Sequence, residues 1–134
     1  MDSLHFNYPA IFVAAAISFV VGGVWYSPLL FARVWMREVG LDDAALKRAR
    51  LGRTFGLAFA ASLVMAFNLS AFLGAKATLA FGVAAGLATG LGWVAMSLGV
   101  IYLFEQRSVK LWLVNAGCQV VTYTLMGAVL GGWR

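Results

Sequence analysis

The chain has 134 residues, 63% of them hydrophobic and only 11% charged, with a net charge of +5. A soluble domain carries about a quarter charged residues, so the composition excludes one and points to an integral membrane protein. A basic excess can mark a nucleic-acid binder, but here Lys and Arg cluster at the ends of apolar blocks, as orientation signals do. Membrane lipid is therefore the expected partner, with attraction to anionic headgroups, and nucleic acid is not.

The apolar residues fall in four blocks, each long enough to cross a hydrocarbon core of about 30 Å. Block one covers about residues 8–26. Ala10, Ala14, Ser18 and Gly22 recur every fourth residue and give one smooth helix face, suited to close approach by another helix. Pro9 sits in the first turn, where a missing N–H costs nothing. Trp25 and Tyr26 close the block as interface anchors, and Ser27-Pro28 ends it, because a residue before proline is pushed away from helical angles. A cleaved signal is not expected: Asp2 is the only charged side chain ahead of the block, which is long for a signal core and has no small-x-small cleavage site.

Residues 29–41 read as a short interfacial helix. Leu30, Phe31, Val34, Trp35 and Leu41 form an apolar stripe, with Arg33, Arg37 and Glu38 mostly away from it. Gly40 ends it. Asp42 can cap a following helix, and Lys47, Arg48, Arg50 and Arg53 follow.

Block two covers about residues 54–73. Ala58, Ser62, Ala66 and Ser70 fall four apart, and Asn68, its one strongly polar residue, is expected to bond a neighbouring helix. After a tight connection through Lys76, block three covers about residues 79–104. Gly82, Gly86 and Gly90 form a double small-xxx-small motif, with Trp93 deep in the block. The glycines mimic a nucleotide-loop spacing, but no strand precedes them, so packing is the better reading. A weak echo links Val13-Ala14-Ala15 through Trp25 with Val83-Ala84-Ala85 through Trp93. Glu105-Gln106-Arg107-Ser108-Val109-Lys110 is a polar turn, and block four covers about residues 111–133. The expected fold is one all-α domain over residues 1–134, a membrane four-helix bundle with an interfacial helix between its first two spans.

The segment Trp25-Tyr26-Ser27-Pro28-Leu29-Leu30-Phe31 with Trp35-Met36 resembles the signature of a bacterial membrane-protein family, domain of unknown function 1761. Phe55-Gly56-Leu57-Ala58-Phe59 with Met65-Ala66-Phe67 looks like a later block of that family. So does Tyr102-Leu103-Phe104-Glu105, continuing to Asn115-Ala116-Gly117 and Met126-Gly127-Ala128. Ala32-Arg33 stands where the family pattern has Gly-Lys, and Cys118 where it has an aromatic residue. The resemblance implies a four-helix membrane protein, placed in a bacterial plasma membrane, and implies no activity.

No apolar block holds Asp, Glu, Lys, Arg or His in its middle. Proton-coupled transport relies on such a group. Glu105, beside Arg107 and Lys110, reads as an interfacial ion-pair partner; a functional carboxylate is the alternative. Asn115, Gln119 and Thr122 share one face of block four and must point into the bundle, because an unpaired amide in lipid costs several kcal/mol. They read as helix-joining contacts or as a polar path. Trp25, Tyr26 and Trp93 read as anchors and packing residues, or as the walls of a ligand pocket. Cys118 is the sole cysteine, so there is no internal disulfide and no Cys/His metal spacing; His5 stands alone, and no metal or cofactor is expected.

Three functions follow. The first is a non-enzymatic accessory or structural protein acting through helix–helix contacts, as a homodimer or within a larger membrane complex. The second is a small homodimeric transporter or channel using the polar face of block four. The third is a binder of a lipid, quinone or tetrapyrrole. Paired carboxylates and a plausible Ser/His/Asp set are lacking, so an enzyme is not expected.

Six Lys and Arg residues lie between blocks one and two and two between blocks three and four, against Lys76 and Arg134 on the other side. This places both termini outside and the 27–53 connection in the cytoplasm. On a Cys118→Ser background, a single cysteine at Ala75 should react with an impermeant thiol reagent in intact cells, and one at Ala45 only after permeabilisation. The reverse pattern overturns the orientation.

Overall fold

The computed structural model describes residues 6–27, 29–40, 51–74 and 77–133. Among these residues all regular structure is helical: α1 (Tyr8–Trp25), α2 (Ala32–Val39), α3 (Leu51–Leu73), α4 (Leu79–Phe104) and α5 (Val109–Gly132). The long helices α1, α3, α4 and α5 are long and apolar enough to cross a membrane. His5, Leu41, Asp42, Lys47, Arg48, Arg50, Lys76 and Arg134 lie outside the described residues.

Side chains set the helix ends. Asn7 caps α1 by accepting from the Ala10 N–H at 3.2 Å, and its Nδ2 donates to the Trp133 carbonyl at 3.0 Å, tying the start of α1 to the end of α5. Thr78 caps α4 through the Phe81 N–H, and Ser108 caps α5 through the Leu111 N–H, each at 3.1 Å. The Ser108 cap lets α5 begin at Val109, ahead of the apolar block. Helix α2 is shorter than the interfacial segment read from sequence, because residues 29–31 form turns, with the Leu30 N–H bonded back to Ser27 and the Phe31 N–H to Trp25. Leu30 is consequently 48% exposed and leaves the packed stripe. Gly40 ends α2 with φ +85°, a left-handed angle that suits glycine.

Helix α5 is the centre of the bundle. Within its apolar window 44% of residues are buried, against 11% in α4. Both α1 and α4 pack on α5, α3 packs on α1, and α3 meets α4 only loosely. The core gathers Ala10, Ile11 and Ala14 of α1, Ala66, Leu69 and Leu73 of α3, Ala85 of α4, and Met126 and Leu130 of α5. The four-residue stripes of α1 and α3 meet: the Ser18 hydroxyl donates to the Ser62 hydroxyl at 2.9 Å, with Ser62, Ala66 and Ser70 buried. Gly22 departs from its expected role, since a Cβ there would meet nothing within 4 Å.

The α4 glycines are used inside the chain. A Cβ on Gly82 would strike the Gly127 carbonyl and lie 2.9 Å from the Gly131 Cα. A Cβ on Gly86 would strike the Tyr123 carbonyl, and one on Gly90 would lie 2.9 Å from the Val120 Cα. Only glycine permits this backbone-to-backbone approach.

Helix α4 is not uniform. Thr89–Ala95 is a π-helical segment between two α-helical halves. Gly82, Gly86 and Gly90 step by four toward α5; the next inward residue, Ala95, is five further on, and Gly99 follows at four. The wider turn thus brings Ala95 and Gly99 back toward α5, with Gly99 under the Trp112 ring. It also turns Trp93 outward, to 70% exposure. The sequence echo between Trp25 and Trp93 has no counterpart in their surroundings.

Replacing Gly86 by Leu should lower the melting temperature in detergent, since forcing carbon into packed backbone costs about 1–3 kcal/mol. Gly92→Ala, whose methyl meets nothing within 4 Å, should leave it unchanged. Equal melting temperatures for the two variants would contradict the packing described.

Candidate functional site

Two features stand out: a polar and aromatic clasp at the α2 end of the bundle, and an apolar groove between α3 and α4. The clasp is built where α1 runs into its Trp25-Tyr26 terminus. The Tyr26 hydroxyl donates to Asn115 Oδ1 at 2.6 Å, and Asn115 Nδ2 donates to the Tyr102 hydroxyl at 2.7 Å. One amide therefore joins the ends of α1 and α4 to α5. Arg107 lies over the Tyr102 ring, 5.9 Å from its centroid, and pairs with Glu105 at 2.7 Å in an exposed ion pair.

Two tryptophans seat on glycines beside this amide. Trp25 Nε1 donates to the Val114 carbonyl at 2.7 Å, and its ring occupies the space a Gly117 side chain would need. Trp112 Nε1 donates to the Ala95 carbonyl at 2.8 Å, with its ring over Gly99. In each case an indole satisfies its N–H on a backbone carbonyl that glycine leaves approachable. Ala95 ends the π segment, so Trp112 also braces the irregular part of α4.

Helix α2 joins the clasp by its ring and its acid. Trp35 packs edge-on to Tyr26 at 5.6 Å, Phe31 lies 4.9 Å from Trp25, and Ser108 donates to Glu38. Arg33 and Arg37 are exposed. The hydroxyl that caps α5 thus also holds α2.

Asn115, Gln119 and Thr122 have different surroundings. Asn115 bonds two tyrosines, one through its oxygen and one through its nitrogen. Thr122 is 3% exposed and sits beside the buried Cys118. Gln119 is half-buried, with no side-chain hydrogen bond found to another described residue, and its backbone carbonyl lies against Gly90. Cys118 lies between Tyr26 and Thr122, so Asn115 and Thr122 are joined through Tyr26 and Cys118, and Gln119 stands outside that set. Among the described residues no group of three or more His, Cys, Asp or Glu side chains could hold a metal.

Trp93 lies apart from Trp25 and Tyr26, in the groove. The groove has a volume of about 690 Å³ and is walled by residues such as Val64, Asn68 and Phe72 of α3 and Phe81, Ala88 and Trp93 of α4, with Tyr123 of α5 reaching it. It exists because α3 and α4 barely touch. Asn68, read from sequence as a partner for another helix, instead donates to Val64 of its own helix at 2.8 Å and lines the groove. Sequence reasoning missed Tyr123, Thr89 and the Gly99 and Gly117 notches. The step of five from Gly90 to Ala95 was the readable signal for the rotation of Trp93.

Together these features define a small α-helical membrane protein with a closed polar clasp and an open lateral groove. The chain belongs to the family described as protein of unknown function (DUF1761), whose model matches residues 9–131. No curated protein and no solved structure matches it.

Asn115→Leu should destabilise the bundle by about 1–2 kcal/mol, the scale of interhelical polar contacts in membranes. A double-mutant cycle of Asn115→Ala with Tyr102→Phe in detergent unfolding should show coupling of about 0.6 kcal/mol or more. Strict additivity would remove the clasp from the account.

Proposed function

We propose that this is a non-enzymatic membrane protein that holds a lipid-like molecule in the groove between α3 and α4. The observation that carries the reading is the cavity itself, about 690 Å³ and walled mainly by apolar side chains. Ligand pockets of about 300–1,000 Å³ with mostly apolar linings and a few polar groups are typical, and here Asn68, Thr89 and Tyr123 are the polar groups.

The other readings lose support. The glycine stripe that favoured an accessory subunit or a homodimer is occupied by α5 of the same chain. The polar face that favoured a transport path is engaged within the bundle, Asn115 in the clasp and Thr122 buried beside Cys118. We place the protein in a bacterial plasma membrane, with the α2 end and its basic connection at the cytoplasmic face, as the distribution of Lys and Arg favours. The groove then lies in the outer half of the bundle and admits its ligand sideways from the bilayer.

Native mass spectrometry on gently extracted protein should find a bound species of lipid-like mass. Ala88→Trp, a change at an exposed groove position, should remove it without lowering the melting temperature. Bound mass unaffected by Ala88→Trp, or none in the unaltered chain, would overturn the proposal.

A further inference from the structure

The groove carries an unusual polar feature at its deep end. Tyr123 lies about 14 Å along α5 from Gly132, at 1.5 Å per residue. Helical side chains lean toward the helix N-terminus, which carries its hydroxyl further from that end. Thr89 lies about 15 Å along α4 from Leu79, and Trp93 about 20 Å. In a hydrocarbon core about 30 Å thick these positions are near the midplane.

Trp93 and Tyr123 are both hydrogen-bond donors, and among the described residues neither side chain donates to another group. Tryptophan belongs at the membrane interfaces, where its N–H meets water and headgroups. At mid-depth an unpaired donor is costly. Every buried side-chain N or O among the described residues has a partner, so the unpartnered Tyr123 hydroxyl is not sealed inside the protein. Thr89 already donates to Ala85 at 2.8 Å. The deep end of the groove therefore offers two donors and an aromatic ring, and lacks a partner for them.

That arrangement discriminates between lipid classes. The ester carbonyls of a phospholipid sit at the edge of the hydrocarbon, about half the core thickness from these donors. A molecule that satisfies them must carry acceptors on a flat group able to lie deep in the bilayer, with an apolar tail for the rest of the groove. We propose that the occupant is a prenylated quinone, its ring against Trp93 and a ring carbonyl accepting from the Tyr123 hydroxyl. The assignment rests on the reading of the groove as a ligand site and concerns binding alone.

The test uses the full chain in detergent with a benzoquinone bearing a decyl tail, and decanol as a probe with the tail but no ring. Binding is read by tryptophan fluorescence quenching and native mass spectrometry. The quinone should bind more tightly than decanol. Tyr123→Phe should weaken quinone binding about five- to tenfold, the worth of one neutral hydrogen bond. Trp93→Phe should weaken the quinone and diminish the quenching. Quinone binding no tighter than decanol, or indifferent to Tyr123→Phe, overturns the quinone assignment; if Ala88→Trp still excludes both probes, the groove reading stands. Failure of both probes to bind, or binding indifferent to Ala88→Trp, overturns both.

Discussion

The backbone contact between α4 and α5 is the constraint on which the rest of the molecule depends. In a bilayer there is no hydrophobic drive between helices, so association rests on close packing and polar contacts. Gly82, Gly86 and Gly90 let α4 lie directly on the backbone of α5 at Val120, Tyr123, Gly127 and Gly131. A regular α-helix would turn its small-residue face away from α5 after Gly90. The π segment at Thr89–Ala95 supplies the extra residue that brings Ala95 and Gly99 back toward α5.

That correction of register has a consequence for ligand binding. The residues that the wide turn releases from the α5 face point elsewhere, and Trp93 is among them. It reaches the space that α3 leaves by packing on α1 rather than on α4. The groove and its aromatic wall thus arise from the same cause as the tight helix pair. π turns inserted in α-helices are frequent at functional sites, and here the geometric reason is visible.

The clasp solves a different problem. At the α2 end the chain must stop one spanning helix, lay down a short amphipathic one and start α5, all beside the ends of α4. Asn115 with its two tyrosines, Trp25 and Trp112 on glycine notches, and Ser108 shared between the α5 cap and Glu38 satisfy these groups locally. On the helix face that the sequence offers as a possible path, Asn115 and Thr122 find partners in neighbouring side chains, as burial in lipid demands. The opposite end is held more simply, by Asn7 on Trp133.

Class and spans are written in the amino acids alone, because hydropathy over 18 or more residues is a local property that no tertiary contact need supply. Helix ends are local too: Gly40 stops α2 through its own backbone, and Asn7, Thr78 and Ser108 start α1, α4 and α5 by bonds within three residues. The small-residue stripes were legible as contact faces, but their partners were not, since a stripe is equally smooth toward a neighbour in the same chain or in another. Gly22 shows the limit, with the right spacing and no neighbour. That α3 avoids α4, that Trp93 leaves Trp25 and Tyr26, and that Tyr123 joins it emerge from the packed bundle. Those outcomes turn on one extra residue in a helical turn and on which helix wins contact with α5, and both are settled by packing across the bundle.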